Sequence, residues 1–198
     1  AGFGQVVVEA YPQEMPEFRR RHVTFVIKEG PRGRVGSIEF DGNVAFSDPE
    51  LLQIFMQSVP RMLANGIYVQ SEVAKSVEFL VQKLKALGYL SARILSQQTL
   101  WNPARTRAVL QIYLNEGEQT RVGEVRVLEG GAPARIPMES ALGVLGVRPG
   151  EPFNIFAFNE GIEQVKSWYR NRGFLEVAIA HEGTSGDSPD AVVQYREE

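Results

Sequence analysis

Three short phrases recur along the chain at nearly one spacing. Arg34-Val35-Gly36-Ser37-Ile38 returns as Arg121-Val122-Gly123-Glu124-Val125, 87 residues later. VTFVIKEG at 23–30 is answered by VLQIYLNEG at 109–117, and Gly30 and Gly117 are again 87 apart. Gly88-Tyr89 closes one long helical pattern and Gly173-Phe174 another, 85 residues on, while Gly2-Phe3 lies 86 residues before Gly88. Self-similarity at a fixed period means one structural unit copied along the chain, and it constrains the fold more than any single element does.

The unit reads strand, helix, helix, strand, strand. In the clearest copy the first strand covers about 34–40 and reverses at Asp41-Gly42-Asn43, residue types that tolerate positive φ. Ser47 followed by Glu50 is a capping box, with Pro49 in the first helical turn, and opens a short helix at about 48–58. A second helix is expected at about 71–87. Its apolar residues Val73, Val77, Leu80, Val81, Leu84 and Leu87 fall on one face. Gly88 suits the left-handed position after that helix. Strands follow at about 89–98 and 106–115, joined by a turn at Asn102-Pro103. The next copy runs in the same order. It has a strand at about 121–129, a helix near Met138–Leu145, and a second helix lined by Phe158, Ile162, Val165 and Tyr169. Strands at about 174–182 and 190–196 close it.

Residues 1–30 supply only the last two strands of an earlier copy. The expected domains are therefore 1–30, 31–117 and 118–198. Gly30-Pro31-Arg32-Gly33 and Glu118-Gln119-Thr120 are the joints, too short to be free linkers. A chain that starts directly in a strand reads as a segment of a longer one. The loop Arg19-Arg20-Arg21-His22 reads as a solvated tip, with an acidic partner or lipid headgroups as the alternative.

Composition removes several function classes. A net charge of -3 gives no whole-chain case for nucleic acid. With no cysteine, disulfide scaffolds and cysteine metal sites are excluded. The two histidines, His22 and His181, belong to different copies, and no serine or carboxylate spacing converges with them. Gly30, Gly33 and Gly36 mimic a phosphate loop but join strand to strand. Acidic residues are scattered rather than set at metal-ligand spacing. No catalytic residue, metal site or cofactor is expected, and an enzyme is not.

The phrase Arg34-Val35-Gly36-x-Ile38-x-Phe40-x-Gly42-Asn43-x-x-Phe46-Ser47 resembles the start of a POTRA domain. Leu87-Gly88-Tyr89 before the second strand, and Gly146-Val147-x-Pro149-Gly150-Glu151-Pro152-Phe153-Asn154 before the last helix, are similar to that family's phrases too. The third copy departs where Leu128-Glu129-Gly130-Gly131 stands in place of Phe-Asp-Gly-Asn. The resemblance implies an α+β fold of tandem POTRA repeats, each β-α-α-β-β with a three-stranded mixed sheet packed against two helices. Gly36, Gly42, Asn43, Gly88, Gly123 and Gly173 would be its structural turn residues. Such domains form the periplasmic arm of BamA-like outer-membrane β-barrel assembly proteins. That implies a place at the periplasmic face of a Gram-negative outer membrane and a C-terminal membrane β-barrel on the same protein. It also implies two kinds of partner: unfolded β-barrel clients, and periplasmic accessory lipoproteins or chaperones. The second strand of each unit would be a sheet edge that pairs with client. The candidate residues there are Leu90, Ala92, Ile94, Ser96 and Gln98, and Leu175, Val177 and Ile179. Alternatives are the arm of a polypeptide-secreting or importing transporter, and a periplasmic cell-division scaffold.

Overall fold

The computed structural model describes residues 3, 6–15, 20–57, 59–123, 125–129, 132–133, 135–174 and 192–193. They divide into two compact units, 1–80 with 94–114, and 81–93 with 115–198.

The first unit opens with an antiparallel hairpin, β1 (Val7–Met15) and β2 (Arg20–Lys28). A three-stranded sheet follows, built from β3 (Arg34–Asp41), β4 (Arg93–Trp101) and β5 (Arg107–Asn115). Its order is β3-β5-β4, with β5 parallel to β3. The strand-to-helix turn forms as the residue types suggest. Gly42 has φ +87, and a Cβ there would run into the Leu114 carbonyl oxygen, so only glycine fits. The Asn43 amide donates to Phe46 O (2.8 Å) and Asp48 Oδ1 (2.9 Å), which tightens the loop. Ser47 donates its N–H (2.8 Å) and hydroxyl (2.7 Å) to Glu50 Oε2 and so caps α1 (Asp48–Met56).

A further helical turn, α2 (Arg61–Ala64), precedes the long α3 (Gln70–Ala86). Sequence periodicity missed α2, since four residues between Pro60 and Asn65-Gly66 carry no periodic signal. Glu72 ties the two together by accepting the Leu63 N–H at 2.9 Å. The core lies on alternate residues of β5 (Ala108, Leu110, Ile112 and Leu114), on Phe40, and on Leu51, Phe55, Val73, Val77 and Leu80 of the helices. The rings of Phe40 and Phe55 meet edge-on with centroids 6.4 Å apart.

In the second unit β6 (Arg126–Glu129) lies between β7 (Ala132–Pro133) and β8 (Val192–Val193). It is antiparallel to β7 and parallel to β8, as β3 is to β5. The short β7, paired through Leu128 and Glu129, falls where this copy departs from the Phe-Asp-Gly-Asn phrase. Helices α4 (Met138–Leu145) and α5 (Ile155–Arg170) pack closely. A Cβ on Gly161 would strike the Leu145 backbone, so this glycine sets their approach. Phe158, Ile162, Val165 and Tyr169 of α5 join Ala141, Leu145 and Phe153 in the core.

The sequence period is also a hydrogen-bond period. Val35 N–H bonds Gly66 O (2.9 Å) and Val122 N–H bonds Glu151 O (2.8 Å). Tyr68 N–H bonds Gly33 O (3.0 Å) and Phe153 N–H bonds Thr120 O (2.9 Å). Both long helices end alike. Gly88 N–H reaches Lys85 O and Tyr89 N–H reaches Leu84 O; Gly173 and Phe174 repeat this on Arg170 and Tyr169. These are Schellman ends, which need a left-handed residue, and Gly88 sits at φ +92.

Candidate functional site

The sheet of the first unit has two edges, and they differ in kind. β3 carries Arg34, Glu39 and Asp41, has a register shift between Val35 and Ser37 at Gly36, and is bridged at Arg34 to Ile67. Charge and bulges are what natural sheets use to discourage edge pairing. From Ile94 to Trp101, β4 has neither a charged residue nor a proline. It forms the other edge, with β5 as its neighbour.

Its C-terminal end is fixed. Asn102 Oδ1 accepts the N–H groups of Thr106 (2.8 Å) and Arg107 (3.0 Å), which holds the hairpin turn. The Trp101 ring meets Tyr68 edge-on at 4.9 Å and lies so close over Gly33 that a Cβ there would touch it. Tyr68 OH stands 3.4 Å from Thr99 Oγ1. Toward the middle the strand opens to solvent, with Ser96, Gln97 and Gln98 exposed and Leu95 59% exposed.

The expected site residues fall in three groups. Leu90 and Ala92 stand before β4, which starts at Arg93, so the expected strand start at 89 is corrected. The Schellman end of α3 takes up Tyr89, and Leu90 N–H and Ala92 N–H close further turns on Gly88 O and Tyr89 O, both at 3.0 Å. Leu90 packs against the core of the second unit, and Ala92 is buried. Ile94, Ser96 and Gln98 lie in β4. Leu175, Val177 and Ile179 lie outside the described residues. Of the expected turn residues, Gly36 is at the β3 bulge, Gly42 and Asn43 form the turn into α1, and Gly88 and Gly173 end the long helices. Gly123 precedes β6.

Backbone direction is the feature that residue types alone do not reveal. Asn102 N–H bonds Arg107 O at 2.9 Å. In an antiparallel pair, alternate residues turn both their N–H and C=O to the partner strand. Asn102 therefore faces β5 at the turn. Along β4, successive residues present their peptide groups alternately toward β5 and outward, and the outward set carries the available edge.

Among the described residues no group of three or more His, Cys, Asp or Glu is placed to hold a metal ion, and no helix is long and apolar enough to cross a membrane.

A POTRA family model, described as a surface antigen variable number repeat, matches residues 33–117. The chain is similar to the outer membrane protein assembly factor BamA of Neisseria meningitidis serogroup B, 24% identical over 76% of this chain and 19% of that one. It is equally similar, at 24% identity, to a candidate outer membrane protein assembly factor of Treponema pallidum, over 77% of this chain and 18% of that one. The chain thus spans about a fifth of the length of these curated relatives. Among solved structures, Haemophilus ducreyi BamA lacking POTRA domains 1–3 superposes with a TM-score of 0.51 at 15% identity, over 82% of this chain and 28% of that one. POTRA1-2 of Omp85 from Anabaena superposes with a TM-score of 0.50 at 13% identity, over 85% of this chain and 98% of that one.

Proposed function

We propose, from the match of residues 33–117 to the POTRA family model, that the chain is part of the periplasmic arm of an outer-membrane protein assembly factor. On this reading it binds unfolded β-barrel clients by strand addition to β4 and passes them toward insertion. It sits at the periplasmic face of a Gram-negative outer membrane, works by binding rather than catalysis, and acts beside accessory lipoproteins or chaperones. The rest of the same protein supplies the membrane β-barrel.

One observation carries the reading: an edge strand that is uncharged and proline-free from Ile94 to Trp101, beside a second edge that is charged and bulged. Main-chain pairing gives affinity with little demand on client sequence. That suits a factor serving many different barrels.

Four new hydrogen bonds at ~0.5–1.5 kcal/mol each give roughly 2–6 kcal/mol. The loss of rotational and translational freedom takes much of this. A single site then binds at about millimolar strength, since ~4 kcal/mol corresponds to ~1 mM. Weak sites release their clients, and repeated copies raise avidity. The test is an NMR titration of this chain with a peptide from an unfolded β-barrel strand. Shifts concentrated on Leu95 to Thr99 at millimolar peptide support strand addition. No shift there removes it, and a docking scaffold for accessory partners replaces it.

A further inference from the structure

α5 has two faces, and the repeat demands only one of them. Setting Gly173 on Gly88 aligns α5 with α3 at an offset of 85. Phe158, Ile162, Val165 and Tyr169 then fall on Val73, Val77, Leu80 and Leu84, apolar and buried in both helices. The other face changes character. Glu160 falls on Lys75, a charge reversal, and Trp168 falls on Lys83. The unit folds without that carboxylate and that indole in its other copy, so the scaffold does not require them.

Both residues line a groove between α4 and α5, with a volume of about 450 Å³. Its floor is apolar, with Ile136 and Val165 buried and Val144 half-buried. The α5 wall consists of two rows at i, i+4 spacing, Glu160-Gln164-Trp168 and Glu163-Ser167-Asn171. From Glu160 to Asn171 is about 16 Å of helix, or three turns. No lysine or arginine among the described residues lines it. Lys166 is engaged on Glu163 Oε1 (2.6 Å), and this hydrogen bond holds the Glu163 carboxyl below its usual range. The Glu160 carboxylate is exposed and has no partner among the described residues. At the other end the Arg172 guanidinium lies 3.6 Å over the Trp168 ring and donates to Trp168 O at 3.1 Å. Tyr169 meets the same ring edge-on at 5.0 Å. The indole is thus held in place before anything covers it, and covering it costs little side-chain freedom. Tryptophan in such a setting is the residue type that dominates binding energy.

We infer that this groove is the docking surface for a basic amphipathic helix of a partner protein, its apolar side chains on Val144 and Trp168 and a lysine or arginine facing Glu160. Shape argues for a helix: a three-turn groove between two helices, walled by i, i+4 rows, receives the ridge of a third. The carboxylates argue for a basic one. The site uses no residue of β4 and does not rest on strand addition there.

The chain has two tryptophans, Trp101 and Trp168. Its indole N–H spectrum therefore holds a reporter in the groove and an internal control outside it. The probe is a synthetic helical peptide of about 15 residues, with leucines along one stripe and lysines beside it. On titration the Trp168 signal shifts and the Trp101 signal stays, and binding weakens as salt is raised. The same peptide with glutamates for lysines leaves Trp168 unmoved. Glu160→Lys, at an exposed position, melts like the parent and binds the basic peptide about tenfold more weakly. An unmoved Trp168 signal at millimolar basic peptide overturns the proposal. So does equal binding of the glutamate peptide, or parent-like binding by Glu160→Lys. Self-association of the chain in sedimentation that Glu160→Lys abolishes names a second copy as the occupant and overturns it as well.

Discussion

Replacing Gln97 and Gln98 with proline, one at a time, isolates the edge from the rest of the domain. Both side chains are exposed, and successive residues of an edge strand turn their N–H groups alternately toward the sheet and away from it. Proline is tolerated on edge strands where the lost N–H points outward. One of the two variants therefore leaves the ladder with β5 intact and changes stability by no more than ~1 kcal/mol; the other removes a ladder bond and lowers stability by ~1–3 kcal/mol. For a client strand the order reverses. In the variant that keeps the domain's stability, one hydrogen bond of ~1 kcal/mol to the client is lost, about a fivefold weakening, and the ring also obstructs the approach of the added strand. The expected loss there is fivefold or more. The assay is the peptide titration followed by NMR, with a thermal melt of each variant. Wild-type affinity in the variant that melts like the parent would refute edge pairing at β4.

Three further outcomes follow from the fold. Ser47→Ala removes the capping box at α1 and costs about 1 kcal/mol in chemical denaturation. The same Ser47 hydrogen bonds hold the Glu50 carboxyl below its usual range. Their stabilisation is therefore complete above the unfolded-state value of ~4.3 and fades as pH falls through the lower folded value; Glu50→Gln should flatten that part of the stability–pH curve. Leu110→Ala, at a fully buried position of β5, costs ~2–5 kcal/mol, whereas Leu95→Ala on β4 stays within ~0.5 kcal/mol, both read by thermal or denaturant unfolding.

Much of the architecture was legible because it is written twice. The Arg-Val-Gly phrase and the two helix-ending glycines set the period, and the structure repeats the same backbone bonds at Val35 and Val122 and at Gly88 and Gly173. The capping box was legible because Ser47 and Glu50 act within a few residues of each other. Other features depend on tertiary geometry. Leu90 and Ala92 alternate like a strand, but the glycine-ended α3 continues into turns that consume them. Gly161 gives no signal in α5 until the Leu145 backbone is seen beside it. The choice of edge needed the strand order.

The measurement closest to the central claim is amide hydrogen exchange along β4, with and without client peptide. Without peptide, the amides of β4 should fall into an alternating slow set, bonded to β5, and a fast set that faces outward. Saturating peptide should slow the fast set and leave the slow one unchanged. Uniform slowing along the strand, or no change in the fast set while the peptide is bound, would contradict strand addition at this edge.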